Sequence, residues 1–139
     1  MNTSRFALIY GIVFLVVGVL GFVPGITAPH SHPEVTAQSG LGLLFGLFPV
    51  NLLHNIVHVL FGIWGLFAAR SFGGARVYFK SVAIIYAVLG AMGLIPGLRS
   101  TFGLIPLYGH DIWLHLLLAG VAAYFGFVRR DEPTAEPAR

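Results

Sequence analysis

The chain contains no cysteine among its 139 residues. That absence excludes disulfides, thiolate metal sites, cysteine nucleophiles and dithiol redox chemistry together, and it leaves the redox compartment unmarked. Charge is also scarce: 9% of residues are Asp, Glu, Lys or Arg, against 57% hydrophobic. A soluble domain carries roughly 25% charged residues, so this chain cannot cover a water-facing surface. With a mean hydropathy of +0.86, its natural solvent and first partner is the lipid bilayer. The formal net charge of +3 is not a nucleic-acid footprint, because the basic residues sit at the ends of apolar stretches.

Four such stretches are present, at about residues 6–23, 49–69, 77–95 and 111–128. Each is near the ~20 residues that cross a hydrocarbon core about 30 Å thick. Backbone groups in lipid must be satisfied internally, and four short strands cannot close a barrel, so these are helices. Pro24-Gly25 and Pro96-Gly97 end the first and third. Arg5, Arg70, Arg76, Lys80, Arg129 and Arg130 fall on one side of this arrangement and only Arg99 on the other. The positive-inside rule then puts both termini in the cytoplasm and the loops at about 26–48 and 98–110 outside. No small-x-small cleavage site follows the first stretch, which reads as a span and not as a signal peptide. Residues 1–128 form the membrane domain, and 129–139 read as a disordered cytoplasmic tail, charged and proline-containing.

The chain repeats itself. A shift of 72 residues carries Gly18, Gly21, Pro24 and Gly25 onto Gly90, Gly93, Pro96 and Gly97, and Phe14 onto Tyr86. A shift of 57 carries Phe45-Gly46-Leu47 onto Phe102-Gly103-Leu104, His58 onto His115 and His54 onto Asp111. The expectation is an all-α integral membrane four-helix bundle of two tandem transmembrane hairpins, related by a pseudo-two-fold along the membrane normal. Gly11, Gly18 and Gly21 share one face of the first helix, and Gly90 and Gly93 one face of the third. With Gly62 and Gly65 they are expected as packing surface, because helices in lipid associate through close approach at small residues.

One stretch breaks the apolar pattern. NLLHNIVH places Asn51, His54, Asn55 and His58 within one stripe of the second helix, at about 100° per residue. Asp111 and His115 hold the corresponding positions in the fourth. Ionisable groups at such depth usually face the bundle interior and pair with one another. His54, His58, Asp111 and His115 would then converge below the outer surface. Three imidazoles and a carboxylate suit a divalent transition metal, Zn or Cu or another, since i,i+4 pairs supply two ligands from each helix. Asn51, Asn55 and Tyr108 would orient those ligands from behind. The sequence carries four readings of this cluster. It is a metal-binding site, a set of cross-helix hydrogen bonds that only fixes packing with no cofactor at all, a haem site with axial histidines from opposed helices, or the core of a small transporter that needs a homo-oligomer. The Glu of a HExxH motif is absent, so hydrolysis is not indicated and no catalytic residue is assigned. His30 and His32 in the long outer loop are candidate accessory ligands. The runs SGLGLLFGLFP and TFGLIP read as short interfacial or re-entrant elements over the site.

NLLHNIVHVLFGIWGL resembles a family of small bacterial four-helix membrane proteins known only as a domain of unknown function. The resemblance rests on Asn51, His54, His58, Gly62 and Gly65, and HDIWLHLLLAG with Asp111 and His115 also fits. It spans essentially the whole chain apart from the tail. It implies the four-helix fold and a bacterial plasma membrane, but no activity, so it transfers no catalytic residue.

The missing cysteines make the topology simple to test. In intact bacteria a cysteine introduced at Ser39 should react with a membrane-impermeant maleimide, and one at Ser71 should react only after lysis. The reverse pattern would invert the assignment.

Overall fold

A computed structural model describes residues 2–130. The tail expected to be disordered lies outside the described residues, apart from Arg129 and Arg130.

Among the described residues, four helices account for most of the structure. The first, α1 (Thr3–Leu20), begins a turn earlier than its apolar run suggests, because Asn2 caps it by accepting the Arg5 amide at 3.0 Å. α2 (Leu52–Ala68) starts later than expected: Pro49 belongs to a strand, and Asn51 is the N-cap, accepting the His54 amide at 2.9 Å. α3 (Phe72–Leu94) starts five residues early, where the Ser71 hydroxyl accepts the Gly74 amide. α4 (His110–Ala123) runs into a π-turn over Tyr124–Val128, closed by the Arg129 amide on the Tyr124 carbonyl at 2.8 Å. Among the described residues, three helical segments are long and apolar enough to cross a membrane: Thr3–Leu20, Phe72–Leu94 and His110–Val128. α2, at 17 residues, is shorter.

The chain is mostly helical, and the outer loop, read as interfacial or re-entrant elements, adds three short strands. β1 (Thr27–Pro29), β2 (Gly42–Leu44) and β3 (Phe48–Val50) form an antiparallel sheet in the order β1-β2-β3. SGLGLLFGLFP therefore folds largely as a hairpin, turning at Phe45 and Gly46, both at positive φ. The run shows no alternation of apolar and polar residues, which is why its strands escape a reading by period.

α1 packs along α2 and α3 along α4, with lesser contacts of α3 to both α1 and α2. The first pairing is a backbone contact. A Cβ on Gly11 would lie 2.8 Å from the Leu66 nitrogen and 2.9 Å from the Gly62 oxygen, and one on Gly65 2.7 Å from the Gly11 Cα. Gly18 faces the backbone of Asn55 and Val59, and Gly21 the Asn55 amide group. Across the second pairing, Gly90 and Gly93 receive Leu116 and Ile112. An aromatic core joins the pairs: Tyr10, Phe14, Phe79, Tyr86 and Phe125 are all buried. Phe14 and Tyr86 meet at 5.5 Å between ring centroids and Tyr10 and Phe79 at 5.1 Å. Such pairs contribute about 0.5–1.5 kcal/mol each beyond burial.

A cap closes the outer end. Asn51, fully buried, donates through its amide nitrogen to the Ala37 carbonyl at 3.0 Å and the Leu104 carbonyl at 2.7 Å. The amides of Thr36 and Ala37 and the Thr36 hydroxyl all donate to the Gly103 carbonyl, at 2.8, 3.0 and 2.8 Å. The two outer segments are thus locked to each other and to the start of α2.

Gly11→Leu should lower unfolding stability in detergent by about 3 kcal/mol or more, since backbone cannot yield to a side chain. Gly120→Leu, where a Cβ meets open space, should be neutral or stabilising. Asn51→Asp keeps the cap acceptor but loses both donors. It should cost about 1–3 kcal/mol in the same thermal melt, and an unchanged melting temperature would reduce Asn51 to a helix cap.

Candidate functional site

Below the cap, the inward faces of α2 and α4 carry the polar residues. His54, Asn55, His58, Asp111 and His115 are all buried. On α2 the i,i+4 spacing sets His54 Nε2 against His58 Nε2 at 3.1 Å, the rings perpendicular. On α4 the same spacing sets His115 over Asp111. Its Nδ1 lies 2.8 Å from the Asp111 carbonyl oxygen and 3.2 Å from Oδ2. A carbonyl only accepts, so Nδ1 carries the proton and Nε2 of the neutral ring is left with its lone pair. The 3.2 Å contact with Oδ2 lacks hydrogen-bond geometry, so that oxygen has no hydrogen-bond donor.

The two halves face each other without a hydrogen bond between them. His54 and His115 stand 6.3 Å apart between ring centroids. Each helix's histidine rests instead on an aromatic ring: His115 stacks on Tyr86 at 4.7 Å, and His58 lies 5.5 Å from Phe14. Among the described residues, no side-chain hydrogen bond of His54, His58, Asp111 or His115 joins one helix to another. Nor is any group of three or more His, Cys, Asp and Glu gathered closely enough to hold a metal ion as it stands.

The residues expected to orient the histidines have other partners. Asn51 ties the cap together and touches His54 only through its backbone amide. Asn55 beds against Gly21 of α1. Tyr108 lies under His32, with rings stacked at 4.2 Å, and its buried hydroxyl has no partner; burial pushes its pKa up. His30 and His32 pack beside Tyr108 on the cap. Phe14, Tyr86 and Thr101 were not singled out as site residues by the sequence pattern. Only the match of Phe14 to Tyr86 in the repeat pointed toward the first two.

Two cavities flank the histidines. One, of about 70 Å³, reaches His54, His58 and His115 from between α2 and α3, and the other, of about 80 Å³, reaches His54, His58 and Asp111 from between α1 and α4. The imidazoles thus form the wall between two small apolar chambers. Such a wall can accept a proton, a hydrogen bond or a metal ion through its ring nitrogens.

No curated protein and no solved structure matches the chain. A family model does match, over residues 4–128, from the first turn of α1 to the end of the π-turn after α4. This helical chain with its buried histidines belongs to the family described as Domain of unknown function (DUF4383).

Proposed function

We propose that the chain is a multi-pass protein of the bacterial plasma membrane and binds a divalent transition metal, Zn or Cu, at His54, His58 and His115. In this reading all four helices cross the bilayer as two tandem hairpins with cytoplasmic termini. Repeat-equivalent details support the two-fold relation of the hairpins. Gly25 and Gly97 share φ +89°, and the contact of Phe14 with His58 has its counterpart in Tyr86 with His115.

The observation that carries the metal is the 3.1 Å between the Nε2 atoms of His54 and His58. Two nitrogens bound at 2.0–2.1 Å to one tetrahedral or octahedral ion stand about 3 Å apart. His115 offers a third Nε2 lone pair, with Nδ1 held by Asp111 in the way protein carboxylates and carbonyls commonly hold metal-binding histidines. Asp111 therefore moves from candidate ligand to the residue that orients one. Binding draws the ring of His115 toward the α2 pair.

The competing reading is structural: the cluster fixes helix packing and binds nothing. It is favoured by the lack of a gathered three-residue set among the described residues. It is weakened because the cluster's hydrogen bonds run within helices and so join none.

Protein purified in detergent without chelator, then loaded with zinc or copper(II) and desalted, should retain about one ion per chain by elemental analysis. Asp111→Asn should weaken binding about 10–100-fold, and His58→Ala at least as much. A chain that retains no ion after loading, while a His54→Ala, His115→Ala double variant melts well below the parent, would establish the structural reading instead.

A further inference from the structure

The two cavities are counterparts under the internal repeat. Val17 lines the α1–α4 cavity, and Leu89, 72 positions on, lines the α2–α3 cavity. Phe48 and Val50 of β3 correspond, at a shift of 57, to Ile105 and Leu107, and Leu114 of α4 to Val57 of α2. Each chamber thus occupies a seam between hairpins, under one of the two outer segments.

Both chambers are lined almost wholly by apolar side chains, yet each contains a polar atom without a hydrogen-bond partner. Thr101 Oγ1 has no hydrogen-bond partner in the lining of the first, and Asp111 Oδ2, 3.2 Å from His115 Nδ1 without hydrogen-bond geometry, has none in that of the second. Asp111 is 2% exposed. A buried polar atom without a partner is destabilising, so an occupant that satisfies it is favoured.

The donor and acceptor complement selects that occupant. Asp111 Oδ2 accepts, and the Thr101 hydroxyl donates and accepts. No Lys or Arg lines either chamber, so an anionic head has no counterion there. A cationic head has none in the first. A carbonyl head cannot donate to Asp111. A hydroxyl does both jobs. The route is also set: the interlocked cap covers the outer face, whereas Ile85 at the rim of one chamber is 38% exposed and Phe45 at the rim of the other 58%. With the helices spanning the bilayer as proposed above, Ile85 on α3 opens toward lipid, and Phe45 opens at the turn of the outer hairpin. The volumes are about half of the roughly 150 Å³ that admits a benzene, enough for a head group and its first carbons while the chain stays in lipid.

We infer that the two chambers are equivalent lateral binding sites for a neutral, hydroxyl-headed lipid, one at each seam, with the head hydrogen-bonded to Thr101 in the first and to Asp111 in the second. This assignment is independent of the metal, and its test uses chelator-treated protein in lipid nanodiscs.

The probe is a long-chain alkanol carrying a diazirine, photolysed on the full chain and mapped by peptide mass spectrometry. Insertion should be saturable and concentrated at Ile85 and Leu89 and at Val17 and Phe45, and excess monoacylglycerol should compete. Leu89→Trp, filling the first chamber, should cut insertion there at least 10-fold and spare the second, which doubles as the control for folding. Thr101→Val should weaken the first several-fold. Unsaturable insertion spread over lipid-facing Leu60, Val77 and Leu117 would overturn the assignment. So would insertion indifferent to Leu89→Trp, or equal saturable insertion of the matching diazirine alkane without its hydroxyl.

Discussion

The backbone contact of α1 with α2 at Gly11, Gly62 and Gly65 is the constraint on which the rest of the structure depends. In lipid there is no hydrophobic force to press helices together, so dispersion at close approach and interhelical hydrogen bonds must do it. The glycines permit that approach and also fix the rotation of α2 about its axis. With Gly62 and Gly65 against α1, His54 and His58, which lie in the same stripe of α2, are turned into the bundle with them. The glycines of α3 likewise receive Leu116 and Ile112, and that turns Asp111 and His115 inward. The inward-facing histidines are thus a consequence of where the small residues are.

Burial then sorts the polar groups into two kinds. Asn51 joins separate parts of the chain, bridging both outer segments through groups with few other partners. The histidines and Asp111 make their side-chain hydrogen bonds four residues away on their own helices, while His58 and His115 meet other helices through the rings of Phe14 and Tyr86, and Asp111 Oδ2 is left without a hydrogen-bond donor. An unmatched buried group is destabilising, and fold stability alone gives no reason to keep it. Its place at the wall of a cavity connects that cost to ligand binding.

Much of the helical fold was legible in the sequence, because near-absence of charge and four apolar runs leave few other solutions. The glycine stripes could be read as faces because residues three and four apart share one. Helix ends were read less well: Asn2, Ser71 and Asn51 decide them through single side-chain caps, which the hydropathy of the flanking run obscures. The sheet was missed since Gly42, Leu43 and Leu44 show no alternation, and pairing with Thr27–Pro29 depends on residues far along the loop. Within the site, the inward stripe followed from spacing. That Nε2 of His54 would meet His58, and that Asp111 would turn to His115, depends on rotamers that spacing does not encode. The role of Asn51 was hidden for a different reason: its partners are the Ala37 and Leu104 carbonyls, and backbone carbonyls look alike in any sequence.

The central claim is that the histidines and Asp111 serve a ligand and do not tie α2 to α4. A double-mutant cycle on His54→Ala and His115→Ala, read as unfolding free energy of the chelator-treated protein in detergent, tests it most directly. The ligand reading predicts additive costs, with a coupling energy within about 0.5 kcal/mol of zero. Coupling of about 1 kcal/mol or more, the upper range for polar contacts between membrane helices, would contradict it and make the cluster part of the packing.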